Sequence, residues 1–384
     1  VGRVIENLLP PLLDDDRFGG VTALAPQALK EPFLARFAHP RLDARFAPFG
    51  PMGARDLLLK GLVELRRHGK GCSLFLFPSH NAPPFVPGRY ALTVNDVTVF
   101  TEASSNPPLA RALFRRLLGR AAAGAAAVTT ISETSRENLC RELSLPPARV
   151  PVFYPWVDDA FFSPWEGRRA AGGAALPSGG GAAAPACLRE GEGGAAEEGC
   201  GPYLLYVGLR IAHKNLAGIL SAFRLLAPDF PSLSLVVAGG RYRRDDEVDR
   251  FRREEGEVGA RVIEVLSPAD ETVRCLMRHA SAFLFPSFHE GFGLPPLEAM
   301  ACGAPVVCSD IPVFREVYGD AALFADPRDP ASIAGEARRV LSEEGVAERL
   351  RGRGRERAAR FRKERLVGEW LDWVYGVATG ATGG

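Results

Sequence analysis

"AFLFPSFHEGFGLPPLEAMACGAPVVCSD", residues 282–310, decides how this chain is built. Ala282 to Phe285 is an apolar run too short for a helix and closed by Pro286, which predicts a buried strand. Glu290, Gly291, Phe292 and Gly293 fall in the following loop, and Pro295 and Pro296 suit the first turn of a helix. Gly303 stops that helix, and "APVVCS" supplies another buried strand. A strand, glycine loop, helix, strand unit builds parallel sheets. Ligands collect outside the carboxyl ends of such strands, where loop N–H groups and the positive helix end hold phosphate or hydroxyls. Glu290 and Glu298 stand on that side and read, as residues, either as a general acid and base or as hydroxyl binders.

Around this unit the chain has 384 residues, room for two domains of ordinary size, with 46% hydrophobic and 24% charged residues. That is a soluble globular composition, and no apolar run approaches the roughly 20 residues of a membrane span. A formal charge of +1 gives no general pull toward nucleic acid or anionic lipid. Seven cysteines without C-x-x-C spacing point to reduced thiols in a cytoplasmic protein. The chain opens at Val1 with "VGRVIENLLPPLL", an amphipathic helix after a glycine turn, so an incomplete N-terminus lacking a first strand is expected, not a cleaved targeting peptide.

Three aspartates at 14–16 could grip a metal but sit at a helix end without a ligand cluster, and the segment from Arg36 to Met52 is rich in aromatics and proline. "ARDLLLKGLVELRRHG" reads as a helix and "CSLFLF" as a buried strand, which puts His80 on the ligand-facing side if the sheet is parallel. Asn95 and Asp96 end the next strand, "RYALTV", where they could orient sugar hydroxyls or simply start an Asx turn. After the strand "AAAVTTIS", the helix "SETSRENLCREL" carries Thr134 and Glu137 at capping-box spacing. Residues 165–201 turn abruptly to glycine and alanine, a flexible linker between domains at 1–164 and 202–364.

The second domain starts with the strand "PYLLYVG", reaching Gly208, and the helix "LAGILSAFRLLA", whose Leu216, Ile219, Leu220, Phe223 and Leu226 share one face. Arg210 and Lys214 lie between them, placed for charge-assisted bonds to a diphosphate. Gly239 and Gly240 close the strand "LSLVVAGG" and leave room for a base or ribose. A basic segment from Arg349 to Arg365 reads as a solvated face, and 365–384, with Trp370, Trp373 and Tyr375, as a helix docking on an apolar surface.

The block "PSFHEGFGLPPLEAMACGAPVVCSDIPVFREVYGDAALFADP", with Glu290 and Glu298 at its core, resembles the donor site of the family 4 retaining glycosyltransferases, glycosyl transferases group 1. "YVG" with Lys214 and Asn215, "ISETSR" and "LVVAGG" extend the resemblance over most of the chain. It implies an α/β GT-B fold, two Rossmann-like domains whose parallel sheets face across a cleft, with the acceptor on the first and the last helix crossing back to it. It further implies that Glu290 contacts the donor sugar, with the N–H groups of Gly291, Phe292, Gly293 and Leu294 around it. Glu298 would bind the ribose, Arg210 and Lys214 the departing diphosphate, Gly208 and Gly239 would border the nucleotide, and Asn95, Asp96, His80 and Gly2 would lie on the acceptor side. No cofactor or divalent metal is implied, only a nucleotide-sugar donor such as GDP-mannose or a UDP-hexose.

The reaction expected is hexosyl transfer, mannose favoured, to a cell-surface saccharide or lipid-linked carrier, without nucleic acid. The location expected is cytoplasmic, with room for peripheral association at the inner face of the membrane. The chain departs from the family pattern in carrying Asn95 where histidine is usual, and Arg210 one position later than the common arginine. A catalytically impaired binding subunit, or another GT-B enzyme such as a sugar-nucleotide epimerase, is the alternative.

Overall fold

A computed structural model describes residues 2–47, 61–79, 82–83, 85–98, 107–164, 201–241 and 247–381. The chain divides into two compact units, Val1–Trp156 with Lys363–Gly384, and Val157–Arg362. The division falls before the expected boundary at 164 because 157–164 is tied to the second unit: Val157 N–H donates to the Phe361 carbonyl at 2.9 Å, and Phe161 is buried. All of the expected linker except Gly201 lies outside the described residues.

The first unit begins with α1 (Gly2–Asp14), β1 (Val21–Pro26), α2 (Lys30–Arg36), β2 (Leu42–Ala47) and α3 (Gly61–His68). It continues with β3 (Phe75–Phe77), β4 (Tyr90–Val94), α4 (Pro108–Gly124), β5 (Ala127–Thr130) and α5 (Glu133–Leu143). β1 and β2 form a parallel pair, and β3, β4 and β5 a parallel three-stranded sheet in that order. Neither strand of this pair was expected from the sequence, and β2 lies in the aromatic, proline-rich segment. In β2, Leu42, Ala44 and Phe46 alternate with Asp43 and Arg45, the period-2 pattern of a half-exposed strand, and those two charges pair along its outer face. The aspartate run is a helix end: Asp15 takes the Arg17 guanidinium, which holds its carboxyl below the usual range, and Asp16 pairs with Arg41. The α5 cap is also corrected. Ser132, extended and fully buried, accepts the Ser135 N–H at 3.0 Å, while Thr134 already lies inside the helix.

In the second unit come β6 (Tyr203–Val207), α6 (Leu216–Leu226), β7 (Ser234–Gly239), α7 (Glu247–Glu254), α8 (Gly256–Ala260) and β8 (Val262–Leu266). Then follow α9 (Asp270–His279), β9 (Ala282–Phe285), α10 (Leu294–Cys302), β10 (Val306–Ser309), α11 (Pro312–Tyr318), β11 (Leu323–Ala325), α12 (Pro330–Ser342) and α13 (Val346–Ala359). The six strands are all parallel, in the order β11-β10-β9-β6-β7-β8. Taken along the chain that is 3-2-1-4-5-6, the doubly wound Rossmann order, which reverses between β6 and β9. Helices cover both faces, so β6 and β9 are near-continuous apolar runs, and Leu204, Leu205, Phe283, Leu284 and Phe285 are wholly buried. The five apolar residues expected on one face of α6 are all buried.

Part of the basic segment serves helix ends instead of solvent. Arg351 in α13 donates to the Gly303 carbonyl at 2.6 Å, where α10 stops, and Arg357 to the Val317 carbonyl at 2.6 Å, near the end of α11. α14 (Lys363–Thr379) belongs to the first unit and docks there through Trp370 and Val374. Trp370 meets Trp156 edge-on at 6.0 Å, and Trp373 meets Phe153 at 5.1 Å.

Burial pushes the Cys302 thiol up to about 12 and the Cys308 thiol well above its ordinary value, whereas Cys72 is exposed. At about pH 8 both buried groups are therefore protonated. A thiol reagent read by peptide mass spectrometry should label Cys72 rapidly and Cys302 and Cys308 only after unfolding. Labelling of Cys308 in the native protein would contradict its place on an inner strand.

Candidate functional site

The reversal between β6 and β9 opens a crevice at the carboxyl edge of the sheet, flanked by the loops that follow these two strands. The first loop starts at Gly208. A side chain there would press on the Tyr206 hydroxyl, which donates to the Leu209 carbonyl at 2.9 Å. Gly239, at φ +135°, approaches the Gly208 carbonyl so closely that a Cβ would overlap its oxygen. The ends of β6 and β7 are thus held bare of side chains.

Asn215 closes the first loop in the left-handed conformation and caps α6, its Oδ1 accepting the Gly218 N–H at 3.1 Å. Its Nδ2 donates to the Pro286 carbonyl at 3.1 Å and the Pro327 carbonyl at 2.7 Å, joining the loops after β9 and β11 to that after β6. Phe288 N–H donates to the His213 carbonyl at 2.8 Å and adds a third tie between loops. Lys214, next to Asn215, ion-pairs with Glu290 across the crevice. Its Nζ also lies 4.8 Å from the centre of the Phe285 ring. The two side chains are 16% and 12% exposed, buried enough to be fixed and open enough for a ligand to reach.

Beyond Glu290 the chain turns into α10 through Gly293 at φ +93°, where a Cβ would collide with the Tyr318 hydroxyl. That hydroxyl donates to the Gly293 carbonyl at 2.7 Å, and burial keeps it protonated by raising its pKa well above the ordinary value. Pro295 and Pro296 have no N–H, so of the first three residues of α10 only Leu294 carries one. Phe292 is buried edge-on against Phe361 at 5.5 Å, and Glu298 lies one turn into α10, 4% exposed.

Arg210 does not join Lys214. Its side chain, 1% exposed, pairs with Glu264 on β8, on the opposite side of β6 from Glu290. Glu264 also takes Arg241, which reaches on to Asp249 at 3.0 Å. A carboxylate inside a covered parallel sheet must find cations, and the loops after β6 and β7 supply both. Sequence reasoning missed Glu264, Arg241 and Asp249. The signal was Glu264 itself, one acid inside the apolar run Val262–Leu266.

In the first unit, Asp96 Oδ1 accepts the Thr98 N–H at 2.9 Å, the Asx turn of the plainer reading. The Asn95 carbonyl takes the Ser135 hydroxyl at 2.9 Å, and its Oδ1 is buried without a hydrogen-bond partner among the described residues. Arg136, in the first turn of α5, pairs with Glu133. Gly2 opens α1 and is a helix start instead of the turn of a glycine loop. His80 lies outside the described residues.

Over 97% of this chain and 95% of that one, the protein superposes on Anabaena HepE in complex with UDP and glucose, at a TM-score of 0.72 and 16% identity. The fold is GT-B. This GT-B chain is also similar to sucrose-phosphate synthase of Thermosynechococcus elongatus, at a TM-score of 0.71 and 20% identity over 90% of this chain and 86% of that one. Residues 195–357 match the family model Glycosyl transferases group 1. The chain is 35% identical over 170 residues to O-antigen chain mannosyltransferase B of Escherichia coli, covering 44% of this chain and 45% of that protein. It is 33% identical over 172 residues to glycogen synthase of Mycobacterium tuberculosis, covering 44% and 39%. The chain thus spans less than half the length of the curated relatives it matches.

Asn215→Ala removes a cap and strands two buried carbonyls, and should cost about 2–4 kcal/mol in urea unfolding. Asn215→Asp keeps the cap but loses both donations, and should fall between the two. Equal midpoints for all three proteins would contradict the tie.

Proposed function

We propose that the protein is a retaining glycosyltransferase that moves a hexose, with mannose favoured, from a nucleoside-diphosphate sugar to a saccharide or lipid-linked saccharide at the cytoplasmic face of a membrane. The observation that carries this reading is the Lys214–Glu290 pair at the switch point, beside the head of α10. A cation and the head of a helix there suit the diphosphate of such a donor, and a carboxylate suits its sugar hydroxyls. Glu298 is assigned to the ribose hydroxyls, and the bare backbone at Gly208 and Gly239 to close approach of the nucleotide. The mannosyltransferase named among the relatives supports the choice of sugar.

In this reading the bond from the anomeric carbon to the donor phosphate breaks while the acceptor oxygen bonds to the same face. The acceptor proton passes to the departing phosphate oxygen. Lys214 and the N-terminus of α10 offset the charge that grows on the leaving diphosphate, so the scheme needs no divalent metal. Arg210 acts from its place on Glu264, setting the β6 and β7 loops. Asn95 and Asp96 are assigned to the acceptor side. Asn95, in place of the family's histidine, favours a second reading, a subunit that binds donor without transferring it.

A thermal-shift comparison of GDP-mannose, UDP-glucose and ADP-glucose should show stabilisation by the cognate donor through mass action. Glu290→Gln should lower transfer about a hundredfold, Lys214→Met should lower kcat as well as weaken donor binding, and the product's anomeric configuration should match the donor's. Turnover should persist in a chelator. Donor binding with no transfer to any saccharide would favour the second reading, and a Glu290→Gln protein as active as the parent would end the first.

A further inference from the structure

A second group of arginines lies within the second unit, away from the crevice. At the β11 edge of the sheet, two strands from β9, the end of α11, the second half of α12 and the first turns of α13 enclose an open groove of about 600 Å³. Arg315, Arg339, Arg349 and Arg353 line it, with Asp320 and Glu336 as the acids among them. Part of the lining is apolar: Leu350 is buried, and the Arg315 guanidinium stands 3.9 Å over the centre of the Phe324 ring. Arg353 pairs with Asp320 at 3.0 Å, Arg339 with Glu336 at 2.8 Å, and Arg315 with Asp310 at 2.7 Å. These are pairs between exposed groups, each worth about 0–1 kcal/mol, so a ligand that brings its own charge can take a guanidinium over. Arg349 has no ion pair or side-chain hydrogen bond among the described residues. It stands one turn before Arg353 on the same side of α13, two like charges that an anion between them would relieve.

We propose that this groove is a regulatory site for a phosphorylated small molecule of sugar size, and that α11 passes its occupancy to the loop that carries Glu290. Guanidinium forks match the oxygens of a phosphate monoester, and the apolar lining and the volume suit a ring-sized body attached to it. Helices on three sides enclose such a ligand better than they would seat a flat protein face. α11 (Pro312–Tyr318) touches both places. On one side the Tyr318 hydroxyl donates to the Gly293 carbonyl at 2.7 Å, and a Cβ on Gly293 would meet both Tyr318 and Phe314. One position further along in each case, Arg315 and Gly319 border the groove. A ligand that draws Arg315 from Asp310 therefore pulls on the helix whose other side supports the turn after Glu290. That the effect is regulation of donor use rests on the transferase reading; the site and its contact with the loop do not.

Titration calorimetry of the full chain with glucose 6-phosphate, inorganic phosphate and glucose tests the site. Glucose 6-phosphate should bind, inorganic phosphate more weakly, and glucose not at all. Arg349→Gln combined with Arg353→Gln should weaken glucose 6-phosphate binding at least about tenfold. Both positions are exposed, so the melting temperature of this variant should match the parent's and show that it folds. Lys214→Met, in the crevice, should bind glucose 6-phosphate as the parent does. Hydrogen exchange in a peptide covering residues 288–294 should change when glucose 6-phosphate is added to the parent and stay unchanged in the double variant. The proposal is overturned if glucose 6-phosphate does not bind the parent, if inorganic phosphate binds equally well, or if the double variant keeps the parent's affinity. It is also overturned if Lys214→Met abolishes binding, which would put the anion in the crevice, or if exchange at 288–294 does not respond. None of these readouts requires sugar transfer, so a failure here is distinct from a failure of the transferase reading.

Discussion

Two hydrogen bonds donated by the Asn215 side chain hold the loops after β9 and β11 to the loop after β6, while its Oδ1 caps α6. Strands in a parallel sheet are positioned by their ladders, but the loops beyond them have no such ladder and must be tied by side chains. Asn215 suits the task because its amide donates twice while its carbonyl caps a helix, and because asparagine tolerates the left-handed backbone adopted there. The consequence lies one residue away. With the loop end fixed, Lys214 is directed across the crevice to Glu290, and the head of α10 follows from Gly293.

The acids of the second unit's edge are then allotted by proximity. Glu290 takes the cation from the β6 loop on one side of the switch point, and Glu264 takes Arg210 and Arg241 on the other. Half-buried Glu290 has a single ion-pair partner, Lys214, whereas Glu264 is the centre of a four-residue network that holds loops in place. Both arrangements follow from the cost of leaving a carboxylate unpaired away from water. They divide two residues, Arg210 and Lys214, that sequence proximity groups together.

Much of this was legible in the residues. The strands of the second unit are apolar runs bounded by glycine or proline, and the α6 face and the Gly303 stop show the periodicity and punctuation expected of them. Trp370 marked α14 as a docking helix, and it is buried against Trp156. β1 and β2 were missed because short alternating strands carry a weak signal beside aromatic and proline residues. The α5 cap was misassigned because serine and threonine at 132, 134 and 135 all suit a helix start, and only backbone angles choose Ser132.

The sequence by itself determined the parallel α/β architecture and the loop that carries Glu290 into α10, because burial on both faces and the chemistry of glycine and proline are local properties written residue by residue. Only the tertiary structure decided which cation meets which carboxylate. Glu264 and Arg210 lie far apart in the chain, and their pairing exists because β6 and β8 both pair with β7, one on each side of it. A charge in a sheet seeks its nearest partner in space, and nearness in space is what the strand order creates.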